Sequence, residues 1–169
     1  IRDREQIARA RAQLLDAGRA FGHVQIGAMV EVPAAALSMP LLLPLVDFVS
    51  VGTNDLIQYT LAIDRADESV SHLYDPWNPA VLALLKTIID TGRMAGREVS
   101  VCGEMAGDPQ MTPLLLAMGL RSFSMHPARV PLIKQMVLRS DVRRLHAELP
   151  RVLASEDPQR ESKKVLEGA

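Results

Sequence analysis

The chain has 169 residues, 48% hydrophobic and 23% charged, with a formal net charge of −1. That is enough for one well-buried domain and too little for two, and no basic stripe is present to follow a nucleic-acid backbone. A single cysteine, Cys102, excludes an internal disulfide framework and a Cys-rich zinc site, and fits a reducing, cytoplasmic setting. The most apolar run, Met39 to Val46, contains Pro40 and Pro44 and is far too short to span a bilayer.

The first residues, Ile1 to Gln6, are too charged for a signal peptide. They begin without Met inside what reads as a helix, so the expectation is a segment of a longer chain. Ile7, Ala10, Leu14, Ala17 and Phe21 make one apolar stripe on that helix, with Gly22 as its stop. Val24 to Val32 is apolar enough to predict a fully buried strand. Pro33 and the three alanines after it suit the first turn of a second helix. Phe48 to Val51 predicts a second strand, ended by turn chemistry from Gly52 to Asp55, and the irregular stretch from Leu56 to Pro79 predicts a long functional loop. Val81, Leu82, Leu85, Ile88 and Ile89 predict a helix ended by Gly92 or Gly96, and Val99 to Cys102 a third strand. Asp108-Pro109 reads as a cap with Pro at the first helical position, the helix running on to Gly119. Ser122 to Met125 predicts a fourth strand and Pro131 to Leu138 the next helix. Val142, Leu145 and Leu149 predict one more, before a charged tail from Glu156 that is expected to be loosely attached. The domain reading is a body over 1–150 and a charged tail over 151–169.

The order, a helix and then four βα units, predicts an α/β fold with parallel strands and right-handed crossovers. A complete (β/α)8 barrel takes about 250 residues, so four units make about half of one; a small open doubly wound sheet is the alternative that the pattern leaves standing. In either, reactive groups gather at the carboxyl ends of the strands. Glu31, the Thr53-Asn54-Asp55 turn, Cys102-Gly103-Glu104 and Ser124-Met125-His126 therefore share one rim. Glu31 and Asp55, as a pair on adjacent strand ends, offer the one or two carboxylates with which Mg2+ is usually held; singly, each reads rather as a helix cap or an arginine partner. Asn54 and Arg65 are able to meet an anion, or to be a turn residue and a solvated charge. Cys102 reads as a small buried hydrophobe or, at its strand end, as a proton donor. Among His23, His72, His126 and His146 only His126 sits at a strand end. The eight methionines read as core filler, and no dinucleotide fingerprint, Walker loop or nucleophile elbow occurs.

Three segments carry a resemblance. Gly27-Ala28-Met29-Val30-Glu31-Val32-Pro33-Ala34-Ala35, the stretch Asp47 to Arg65, and Cys102 to Pro109 resemble, without gaps, the blocks of the phosphoenolpyruvate-utilising enzymes. The resemblance runs from about Gly22 to Val137. It is strongest to the branch that phosphorylates a protein histidine at the head of the bacterial phosphotransferase system. Leu37-Ser38-Met39-Pro40 and Ser124-Met125-His126-Pro127 are similar to that branch's nitrogen-regulatory arm.

The resemblance implies the C-terminal half of a (β/α)8 barrel, with Glu31 and Asp55 as Mg2+ ligands. Asn54, Asp55 and Arg65 would be the phosphoenolpyruvate contacts, Cys102 the acid that turns enolpyruvate into pyruvate, and a phosphocarrier protein the downstream partner. The Thr-Ser-His segment that carries the phosphoryl group in this family has no match here, nor do the arginines of the barrel's front half. The isolated chain is therefore expected to be inactive and to bind the substrate weakly. A half barrel would also expose strand edges and a hydrophobic interior face, which predicts self-association as a homodimer. A fragment of pyruvate,phosphate dikinase or phosphoenolpyruvate synthase, a Mg2+-dependent carbon–carbon lyase barrel, and a non-enzymatic dimerisation module are the competing readings.

Overall fold

In the computed structural model, which describes residues 2–167, helix α1 (Arg2–Asp16) leads into strand β1 (Gly27–Val30). Helix α1 stops well before Gly22. Gly18, at φ 62°, takes the left-handed conformation, and the N–H groups of Gly18 and Arg19 close onto the carbonyls of Leu15 and Leu14. Ala17 and Phe21, the last members of the predicted stripe, thus lie beyond the helix. The Asp47 carboxylate ties this end of the chain together: it accepts from the Ile26 N–H (2.8 Å) and pairs with Arg4 (3.2 Å). Those two partners, the backbone N–H foremost, hold the Asp47 carboxyl below the usual carboxylate range.

Strand β1 is followed by the short helices α2 (Pro33–Leu37) and α3 (Met39–Leu42), then β2 (Phe48–Gly52) and α4 (Thr53–Leu61). Helix α4 replaces the first quarter of the predicted loop. Thr53, Leu56 and Ile57 are buried on one side of it, an i, i+3, i+4 pattern that the polar residues around it conceal in the sequence. Helix α5 (Pro79–Met94) is capped by Asn78, whose side chain accepts from the Ala80 N–H (2.9 Å), and ends at Gly96 rather than Gly92. Strand β3 (Glu98–Cys102) and α6 (Thr112–Met118) come next. The Asp108 carboxylate accepts from the Gln110 N–H (2.8 Å) in a turn of its own, so α6 begins later than the Asp108-Pro109 pair suggests, with Pro113 in its first turn. Strand β4 is only Ser122–Phe123, although the Ser124 N–H still donates to the Val101 carbonyl (2.9 Å). Helices α7 (Val130–Arg139), α8 (Val142–Leu153) and α9 (Pro158–Glu167) complete the chain. The charged tail, expected to hang loosely, is folded: Glu161 of α9 pairs with Arg151 (2.7 Å), and Arg144 donates to the Val165 carbonyl (3.0 Å).

The four strands are all parallel, in the order β1-β2-β3-β4. The α/β alternation predicted from the sequence is present, and the order lacks the reversal that defines a doubly wound sheet. Period-two alternation sends Val30, Val49, Val51, Val99 and Val101 to one face, where the helices bury them. Met29, Ser50, Ser100, Ser122 and Cys102 occupy the other. That face remains partly open, and Met29 is 50% exposed. The fully buried first strand expected from its composition is therefore half exposed. The open face, expected to be hydrophobic, mixes three serines and a thiol with Met29 and Phe48.

Gly92 shows how closely α5 lies on β3: a Cβ there would overlap the Cγ2 methyl of Val99. Gly92→Ala gains about 1 kcal/mol of helix propensity, against about 1–3 kcal/mol for overpacking a stiff β-branched neighbour. The expected outcome is a lower urea midpoint for the variant with an unchanged denaturant slope.

Candidate functional site

The ends of all four strands contribute to one rim. Glu31 follows β1 and continues the alternation of Gly27 and Met29, which carries its side chain to the open face beside Gly52. A Cβ on Gly52 would lie 3.0 Å from the Glu31 Cβ and 3.1 Å from Oε2. Asp55 sits in the first turn of α4, half-buried. Among the described residues neither carboxylate joins an ion pair or accepts a hydrogen bond, so the cap and arginine-partner readings find no support. No cluster of three or more metal-ligating side chains occurs among them either. Glu31 and Asp55 are thus two carboxylates that could take a cation, and Mg2+ is usually held by one or two such groups completed by water and substrate oxygens.

Asn54 is held from two sides. Its Oδ1 accepts from the Glu104 backbone N–H (3.2 Å) and from the Tyr74 hydroxyl (3.4 Å). A backbone N–H only donates, so the group facing it is the oxygen, and the amide NH2 is left for another acceptor. The approach depends on Gly103, at φ 97°, where a Cβ would come within 2.6 Å of Thr53 Oγ1 and 3.0 Å of Asn54 Oδ1. The Thr53 hydroxyl donates to the Cys102 carbonyl (2.7 Å), which fastens the first turn of α4 to the end of β3. No side chain caps α4, so its leading N–H groups, those of Asn54 and Asp55 among them, are available to an anion.

Cys102 is half-buried at the end of β3, its sulfur on the open face. Sγ lies 3.3 Å from the Val51 carbonyl, to which it donates, accepts from the Ser50 hydroxyl (3.5 Å), and touches Met29 Sδ at 3.8 Å. Cys102 and Asn54 line a cavity of about 660 Å3 together with Glu104, Ser124, His126 and Arg129. His126 Nδ1 accepts from the Ala128 N–H (3.2 Å), which puts the ring proton of the neutral form on Nε2.

Arg65 is exposed in the loop after α4, close enough for its charge to act on the Tyr74 hydroxyl. The other histidines lie away from the cavity: His23 lines a groove along α1, His146 meets the Ala117 carbonyl at 3.0 Å, and His72 is exposed. Sequence reasoning missed Tyr74, Ser50 and Arg129. Ser50 was legible in principle, because it shares the strand-face alternation of Cys102. Tyr74 stands twenty residues from Asn54 in an irregular stretch, and no local pattern points to it.

The chain matches the family model of the PEP-utilising enzyme, PEP-binding domain, over residues 1–142. It is 54% identical over 157 residues to a phosphoenolpyruvate-protein phosphotransferase of Cupriavidus necator, covering 92% of this chain and 27% of that protein. The protein of the same description from Haemophilus influenzae is 50% identical over 128 residues, 75% of this chain and 22% of its own length. That from Latilactobacillus sakei is 46% identical over 136 residues, 80% and 24%. The chain thus spans about a quarter of the length of these relatives.

Burial, and then the nearby negative charges of Glu104 and Asp55, push the Tyr74 phenol above its ordinary value against the opposing pull of Arg65. A raised folded-state value means that the native protein holds this proton more tightly than the unfolded chain does. The associated stability is full below the unfolded value, near pH 10, and is lost as pH rises through the folded one. Absorbance titration should show one of the chain's two tyrosines ionising late, and Tyr74→Phe should remove that phase and flatten the stability loss above about pH 10.

Proposed function

Because the chain belongs to the phosphoenolpyruvate-utilising enzymes through their PEP-binding domain, we propose that it forms the C-terminal half of a (β/α)8 barrel. The protein that contains it transfers the phosphoryl group of phosphoenolpyruvate to a protein histidine and releases pyruvate, with a phosphocarrier protein next in line, in the cytoplasm and on the nitrogen-regulatory branch. The observation that carries this reading is the Asn54 amide. Its oxygen is occupied by Glu104 and Tyr74, so its two N–H donors, at the uncapped start of α4, are the part left to meet an anion beside the Cys102 thiol. The one-directional strand order and the half-open polar face of a parallel sheet support the half-barrel reading, since such sheets are ordinarily covered on both faces.

In this reading Glu31 and Asp55 hold Mg2+, which neutralises charge on the phosphoryl oxygens. Asn54, the N–H groups of Asn54 and Asp55, and the guanidinium of Arg65 position the phosphoryl group; positioning and charge stabilisation are most of what such a transfer needs. Cys102 gives its proton to C3 of the enolate left behind. The enolate π pair becomes the new C–H bond, a carbonyl forms at C2, and the sulfur keeps the S–H pair as thiolate until water reprotonates it. Self-association through the open face and the unpaired edges of β1 and β4 belongs to the same proposal.

Isothermal titration tests the metal and substrate roles. The chain alone is expected to bind phosphoenolpyruvate weakly, near the millimolar range or about −4 kcal/mol, only with Mg2+, and not at all as Asp55→Asn. Binding that ignores Mg2+ would sink the assignment of Glu31 and Asp55. In a full-length enzyme carrying this segment, Cys102→Ala is expected to lower pyruvate formation by about 10²–10⁴-fold with substrate affinity retained; a rate near that of the parent removes the thiol from the mechanism.

A further inference from the structure

We infer that Ser50 is a positioning residue for the Cys102 thiol: its hydroxyl aims the sulfur into the cavity and stabilises the thiolate that remains once the proton has left. This rests on the reading of Cys102 as the acid, but the contact has chemistry of its own. Ser50 lies on β2, two residues before the partner of Cys102 in the ladder (Gly52 opposite Cys102, Ser50 opposite Ser100), so the two side chains are diagonal neighbours on the open face.

At 3.5 Å the hydroxyl donates to Sγ, while the thiol's own hydrogen points to the Val51 carbonyl at 3.3 Å. The two contacts divide the work by protonation state. In the resting thiol the Val51 carbonyl holds the S–H hydrogen on the β2 side. When the S–H bond breaks toward a carbon acid precursor, that contact loses its donor. The Ser50 O–H then becomes a hydrogen bond to an anion, of the kind that is roughly twice as strong as a neutral one.

Ser50 shares the open face with Ser100 and Ser122, and what sets it apart is its contact with the sulfur. On the helix-covered face of the same strand stand Val49 and Val51, both fully buried, whereas the Ser50 hydroxyl has the Cys102 sulfur as the acceptor of its one proton. Met29 Sδ, at 3.8 Å from the sulfur, is a thioether with no proton to donate, so it cannot take the place of the hydroxyl. Among the described residues no charged side chain of this rim, Glu31, Asp55, Arg65, Glu104 or Arg129, is hydrogen-bonded to the sulfur, which leaves the Ser50 hydroxyl as the side-chain donor in contact with it.

The chain's single cysteine makes the test direct, because alkylation by iodoacetamide reports on Cys102 alone. Ser50→Ala should slow alkylation at neutral pH by about three- to tenfold, because the sulfur loses the donor that orients it and meets its negative charge. Ser50→Thr, which keeps the hydroxyl, should restore the rate to within about twofold, a rescue that a packing role would not produce. An Ser50→Ala rate equal to or above that of the parent overturns the inference. If alkylation responds as expected while Cys102→Ala in the full-length enzyme still yields pyruvate at the parent rate, the acid role fails and the Ser50 contact stands. The reverse pattern removes Ser50 and leaves Cys102 in place.

Discussion

The junction between the end of β3 and the first turn of α4 is the constraint on which the site depends. Gly103 has no Cβ and sits at a positive φ, and only for that reason can the backbone of Cys102, Gly103 and Glu104 lie against Thr53 and Asn54. The Thr53 hydroxyl then closes onto the Cys102 carbonyl and the Glu104 N–H onto the Asn54 oxygen. One close approach therefore fixes three things together: the height of the thiol at the rim, the direction of the Asn54 amide, and the opening of α4 toward the cavity. A side chain at position 103 would have to displace Thr53, and the amide and the thiol would lose their common frame.

The sheet beneath this junction is one-sided. Five valines on β1, β2 and β3 bury one face under the helices, and α6, with all seven residues buried, packs chiefly against α8. The opposite face carries small and polar groups, and it is on this face that Glu31, Gly52, Ser50 and Cys102 stand. Stability and chemistry are thus separated by the two-residue period of the strands: odd and even positions of the same short segments face different solvents. The separation explains how residues as close in the chain as Val49 and Ser50 belong to different functions.

Much of the site was readable in advance because strand ends are marked by local chemistry. Glu31 interrupts an apolar run, Asp55 follows a glycine turn, and Cys102 precedes a glycine; each announces the end of a strand and so its place on the rim. What could not be read is the second partner of each group. Nothing in the sequence around Asn54 indicates that Tyr74 holds its oxygen, and the spacing from Ser50 to Cys102 is set by the register of two strands separated by a whole loop and helix. The limits of α1 and α6 also moved, since the left-handed Gly18 and the turn at Asp108 compete locally with the hydrophobic period, and α4 was concealed by the polar residues around its buried side. The tail that looked too polar to pack is held by the Glu161–Arg151 ion pair to α8, the bond from Arg144 to the Val165 carbonyl and the burial of the Val165 side chain in the core.

By itself the amino-acid sequence determined the alternation of strands and helices, the parallel class of the sheet, and the set of polar side chains at the strand ends, because hydrophobic period and turn residues act over a few positions. Tertiary structure alone decided the strand order, which sheet face stays open, and how Asn54 and the Cys102 thiol are oriented. Those outcomes depend on hydrogen bonds and close approaches between residues about fifty positions apart, Thr53 with Cys102 and Asn54 with Glu104, and contacts at that separation leave no periodic trace in the chain.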